Sequence, residues 1–97
     1  MKSALAIQCL PIKEAPRQEI YRSVDAAIKV IIASGLPYEV GPFETTVEGE
    51  LDQLMRLAQE AHTAVLATGA KQVITYMKLA TGEDLGSSHE KTAKYRS

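Results

Sequence analysis

A single cysteine, Cys9, occurs in the 97 residues. No intramolecular disulfide can form, and a reducing, cytoplasmic setting is expected. Cys9 lies inside an apolar run and reads as a small buried hydrophobe. A basic excess is also missing: 11 Lys and Arg against 12 Asp and Glu leave a formal net charge of -1, which offers no attracting field to nucleic acid or an anionic membrane. No apolar run is long enough to cross a bilayer. The short apolar stretch after Lys2 is stopped by Pro11, Lys13 and Glu14, so no secretory leader is expected. There is no glycine-rich phosphate loop and no Ser-His-Asp or Cys-His arrangement. Glu48, Glu50 and Asp52 lack the second set of ligands that would turn them into a metal site. Neither an internal repeat nor a low-complexity segment is present, and no cofactor is expected.

What is present reads as one domain spanning residues 1–97. Residues 3–10 alternate as a strand, with Leu5, Ile7 and Cys9 on a bulky face and Ala4, Ala6, Gln8 and Leu10 on a smaller one. Pro11 is expected to end it. A helix begins near Pro16, a good first-turn residue. Ile20, Val24, Ala27, Ile28 and Ile31 form its apolar stripe, and Gly35 with Pro37 closes it. Residues 36–40 and 43–48 read as two strands joined by a Gly41-Pro42 turn into an antiparallel hairpin. Gly49 is the expected cap of a second helix over 50–68, with Glu50 and Asp52 as acids in its first turn. Leu51, Leu54, Met55, Ala58, Ala61, His62 and Val65 form its stripe, and Gly69 ends it. Residues 72–80 read as a last strand. A polar extension over 86–97 is expected to hold a short helix capped by Ser87 or Ser88, which either frays or docks through Tyr95.

The order β-α-β-β-α-β is the ferredoxin-like pattern, an α+β fold in which two helices cover one face of a four-stranded antiparallel sheet. Its other face would present Ala4, Ala6, Gln8, Leu10, Ile74, Tyr76 and Lys78, too apolar to be left in water. A second copy is the simplest cover, so self-association into a dimer or tetramer through the sheet is expected.

Alternation from Val47 points Glu48 to this open face, beside Gln8 and Tyr76. The hydroxyls of Thr45 and Thr46 and the Glu48 carboxylate are expected to gather at the strand-to-helix corner, the first place to look for a small polar ligand. Lys78 reads as the partner of an acid, with a ligand group as the alternative, and Phe43 as a hairpin core residue or a stacking surface. His62, on the inner stripe, reads as a packed, hydrogen-bonded histidine, and His89 as solvated.

Several segments, taken in order, resemble the small thiamine-binding protein family, formerly grouped as conserved proteins of unknown function. They are Leu10-Pro11 closing the first strand, Tyr38-Glu39-Val40, Thr45 and Glu48 ahead of Glu50, Asp52-Gln53-Leu54-Met55, Glu60-Ala61-His62-Thr63-Ala64-Val65-Leu66 and Met77-Lys78-Leu79. The resemblance implies a ferredoxin-like fold, dimers and tetramers built through the sheets, and a binding module for thiamine or its hydroxymethylpyrimidine portion without established catalysis. It carries over best at Thr45, Glu48 and Lys78, with Gln8 at a position where polar residues also occur. Past Leu79 this chain departs, reading Ala80-Thr81-Gly82-Glu83-Asp84-Leu85-Gly86 where many relatives continue with an acidic, Arg-containing segment.

The chemistry suits that implication. An aminopyrimidine presents a donor amine beside ring nitrogens, and Glu48, Gln8 or a threonine hydroxyl can meet it. The ring and the thiazolium cation suit Tyr76 or Phe43. The alternative is a small cofactor-free enzyme of dimeric α+β type, with an inward cavity and His62 as its polar group. An RNA-binding sheet lacks the paired exposed aromatics and basic surround it would need.

Overall fold

The computed structural model describes residues 2–83. The extension expected over 86–97, with His89 and Tyr95, lies outside the described residues. The elements are β1 (Lys2–Ile12), α1 (Arg17–Ala33), β2 (Tyr38–Val40), β3 (Thr45–Glu50), α2 (Leu51–Leu66) and β4 (Gln72–Gly82). All strand pairings are antiparallel, in the order β2-β3-β1-β4. This is the ferredoxin-like α+β arrangement that the element order implies.

β1 does not stop at Pro11, which pairs with Val73 of β4. The β3 ladder ends at the Ile7–Thr45 pair, so past Ile7 the strand is an edge on one side. Proline is tolerated there because no ladder hydrogen bond is asked of its missing N–H. β4 likewise runs beyond residue 80, to Gly82.

α1 starts directly behind Pro16, whose carbonyl accepts from the N–H groups of Glu19 and Ile20 at 2.9 and 3.2 Å. The helix ends before Gly35, whose φ of 75° is the left-handed value expected just past a C-terminus. The polar Arg17, Arg22, Asp25 and Lys29 are exposed, as the stripe requires.

The hairpin is offset from its expected position. β2 holds only Tyr38–Val40, and β3 begins at Thr45, so Phe43 stands in the turn. That turn closes through the Gly41 N–H donating to the Glu44 carbonyl at 2.9 Å. A Cβ at Gly41 would lie 2.9 Å from that carbonyl oxygen, too close for any side chain to be accepted without a backbone shift.

β3 passes into α2 without a loop. The helix cap is Glu50, extended at φ -79° and ψ 150°, rather than Gly49. Its backbone N–H donates to Gln53 Oε1 at 3.1 Å, which satisfies a group that the helix itself cannot.

The core lies between the helices and one sheet face. Leu5, Ile7, Cys9 and Val47 from the sheet meet Ala27 and Ile31 of α1 and Leu54, Leu57, Ala58, Ala61 and Val65 of α2. The alanines let the helix backbones approach the sheet closely. The α2 stripe is rotated from the one read in the sequence: Leu57 is buried, while Leu51 and Met55 are exposed. The helix–helix contact draws Leu57 inward, and the opposite flank of α2 overhangs β4, where no further helix among the described residues covers it. Ser23, outside the expected stripe, is fully buried; its hydroxyl donates to the Glu19 carbonyl at 3.1 Å and lies 2.9 Å from the Thr68 hydroxyl.

Candidate functional site

Cross-strand partners in an antiparallel sheet share a face, so the register assigns every candidate. Ala4 pairs with Glu48 and Ala80, Ala6 with Thr46 and Lys78, Gln8 with Tyr76, and Glu39 with Thr46. All of these face away from the helices. Ala4, Ala6 and Ala80 are neighbours across β1 and β4, and with no side chain beyond Cβ they form a depression in the sheet.

The turn over residues 41–44 stands at the rim of that depression. The result is an open cleft of about 490 Å3, floored by Ala4, Ala6 and Ala80 and bordered by Phe43, Thr46 and Lys78. Such a volume lies within the range of small-molecule sites, and the composition is the usual one, largely apolar with a few polar groups. Lys78 Nζ lies 3.5 Å from Glu44 Oε2, so the acid partner expected for this lysine is the turn residue Glu44. The pair is solvent-exposed and holds the turn only weakly. Phe43 is 80% exposed, not a hairpin core residue, and its ring is available at the rim.

The structure therefore divides the seven candidate residues. Phe43, Thr46 and Lys78 border the cleft. Gln8 and Tyr76 face each other one register step further along the same face, and Glu48 sits beside Ala4 at the other end, mostly buried. Thr45 is on the opposite face. It pairs with Ile7 and Val40 and is 6% exposed, so the two adjacent threonine hydroxyls do not converge. Sequence reading missed the floor alanines and the two acids of the cleft wall, Glu39 and Glu44. The small residues at alternate positions of the first strand were the available signal, and they register as mere apolarity until the neighbouring strand is known.

On the helix side of the sheet, His62 is partly buried and its Nδ1 lies 2.7 Å from Thr75 Oγ1. It is packed and hydrogen-bonded, as its place on the stripe suggests. Thr75 in turn donates to Cys9 Sγ at 3.4 Å. Burial holds the Cys9 thiol above its ordinary pKa, partly offset by the Thr75 hydrogen bond. Among the described residues no group of three or more His, Cys, Asp or Glu side chains is placed to hold a metal ion, and no helix is long and apolar enough to cross a membrane.

Comparison with known proteins places this geometry in a family. Residues 5–96 match the family of thiamine-binding proteins. A UPF0045 protein from Clostridium perfringens is 35% identical over 92 residues, covering 95% of each chain. A domain of unknown function from Bacillus cereus superposes with a TM-score of 0.84 at 38% identity, over 98% of this chain and 90% of the other. A Thermotoga maritima protein described as a putative thiamine biosynthesis/salvage protein superposes with a TM-score of 0.83 at 29% identity, over 99% of this chain and all of its own.

Proposed function

We propose, from the premise that this chain belongs to the thiamine-binding protein family, that it is a non-catalytic binding module. Its ligand is thiamine or the hydroxymethylpyrimidine portion of it, held in the open-face cleft. The observation that carries this reading is the cleft itself: an alanine-floored depression of about 490 Å3 with an exposed aromatic ring and a threonine at its rim. A flat heteroaromatic ring can lie on the Ala4-Ala6-Ala80 floor, where longer side chains would exclude it. Phe43 offers a π face to the ring or to the thiazolium cation. Thr46 supplies a hydroxyl that both donates and accepts.

The remainder of the open face has a different part in this reading. Ile12, Ile74 and Tyr76 are exposed beyond the cleft, and a second copy packed over that strip would remove them from water and border the cleft from above. Gln8 and Tyr76 would then reach the ligand only in that assembly. The cysteine-poor chain suits a cytoplasmic setting.

Isothermal titration with thiamine, and separately with hydroxymethylpyrimidine, tests the reading. Saturable heat that is weakened at least severalfold in Phe43→Ala supports it. Absence of heat with both compounds removes this ligand class.

A further inference from the structure

Charge is unevenly placed on the open face. The register puts Lys2, Glu39, Glu48, Glu50 and Lys78 there, and Glu44 joins them at the turn through its contact with Lys78. All of them lie around the cleft or on its Lys2 side. Toward the other end Gln8 meets Tyr76, Leu10 meets Ile74 and Ile12 meets Gln72, pairs without a charged side chain. In the charged half the acids outnumber the lysines, and in the cleft lining Glu39 and Glu44 stand against Lys78 alone.

Lys78 is not an open seat for an anion. Its Nζ lies 3.5 Å from Glu44 Oε2, so an entering anion must displace that carboxylate or sit beside it. Among the described residues the arginines, Arg17, Arg22 and Arg56, are all on the helices, behind the opposite face of the sheet. No arginine fork, glycine-rich loop or helix N-terminus lines the cleft, and these are the devices that ordinarily hold a phosphate. Ala4, Ala6 and Ala80 bring no side-chain donor to the floor.

We propose that the cleft selects its ligand by charge: it takes a cationic heteroaromatic alcohol and rejects the phosphate esters of that alcohol. The proposal rests on the thiamine reading and narrows it to thiamine itself, whose thiazolium ring is a permanent cation. Glu39 and Glu44 attract that cation. A phosphate monoester adds about -1.5 to -2 charges, which turns the same carboxylates into a barrier. Glu44 acts twice, by attracting the cation and by occupying the one cationic side chain of the lining. Discrimination then comes from repulsion of the wrong form as well as attraction of the right one. Because these charges are partly exposed, the effect weakens with salt.

The test is isothermal titration of the full chain, at low and at high salt, with thiamine, thiamine monophosphate, O-acetylthiamine and hydroxymethylpyrimidine. The acetate carries a neutral group on the same oxygen and controls for bulk. Thiamine and its acetate should bind with similar affinity. The monophosphate should bind about tenfold or more weakly at low salt, with the gap narrowing at high salt. Glu44→Gln keeps the side chain's shape and releases Lys78. It should weaken thiamine roughly two- to fivefold, strengthen the monophosphate by a similar factor and leave hydroxymethylpyrimidine unchanged. Glu39→Gln should weaken thiamine likewise. Monophosphate binding as tight as thiamine, an equal loss in the acetate, or a Glu44→Gln change of the same sign for thiamine and its monophosphate overturns the proposal and leaves the thiamine reading standing. Heat with hydroxymethylpyrimidine but none with thiamine also overturns it alone. No heat with either compound overturns that reading and this proposal with it.

Discussion

Thr45 and Thr46 are chemically identical neighbours that the register sends to opposite faces, so substituting each by the near-isosteric valine separates ligand binding from folding. Thr46 pairs with Ala6 and Glu39 and borders the open-face cleft. Thr46→Val removes a hydroxyl while keeping the β-branched shape that the strand favours. Loss of one neutral hydrogen bond costs about 0.5–1.5 kcal/mol, so the thiamine dissociation constant should rise roughly two- to tenfold with little change in stability. Thr45 is 6% exposed between Ile7 and Val40. Thr45→Val places an apolar methyl in an apolar layer, so stability should hold or rise by less than about 1 kcal/mol, and ligand affinity should be unchanged. Urea denaturation and isothermal titration of both variants provide the four numbers. Weaker binding in Thr45→Val with unchanged binding in Thr46→Val would refute the assignment of faces and with it the cleft.

The remaining predictions concern the scaffold. Leu54 is fully buried at the centre of the core, so Leu54→Ala should lower unfolding free energy by ~2–5 kcal/mol in chemical denaturation; a loss near zero would contradict the packing described. Gly41→Ala should open the turn at the cleft rim, because its Cβ meets the Glu44 carbonyl; unchanged amide chemical shifts across residues 41–46 would be the contrary result. The Cys9 thiol is neutral and buried, with its pKa raised in the fold. The folded state therefore binds the proton more tightly than the unfolded one, and the associated stability is fully present below the ordinary thiol pKa and declines as pH rises above it. Alkaline unfolding curves of the wild type and Cys9→Ala should diverge in that sense, and Cys9 should resist alkylation until the chain unfolds.

The element order and the sheet's two faces could be read from residues alone, because period-2 alternation in 3–10 and 72–80 and helical spacing from Ile20 to Ile31 are strong local signals; the family came from a resemblance carried by segments such as Glu60–Leu66 and Met77-Lys78-Leu79. Errors cluster where tertiary contacts overrule local preference. Gly49 has the composition of a cap, but the β3 ladder to Lys2 carries the strand through Glu50. The α2 stripe contains more apolar positions than the core can accept, and only the placement of α1 decides that Leu57 enters while Leu51 and Met55 stay out. The candidate site was half legible. Parity placed Glu48, Gln8, Tyr76 and Lys78 on one face, and the register does the same. The cleft was not legible, since a depression made of Ala4, Ala6 and Ala80 depends on which alanines become neighbours across strands.

The most direct measurement is isothermal titration of thiamine into the wild type and Ala6→Leu. Ala6 lies on the cleft floor between Thr46 and Lys78, and a leucine there projects into the space assigned to the ring without entering the core. The account predicts saturable binding to the wild type and none, or at least a tenfold loss, in a folded Ala6→Leu. Undiminished binding to that variant would contradict the placement of the ligand on the open face.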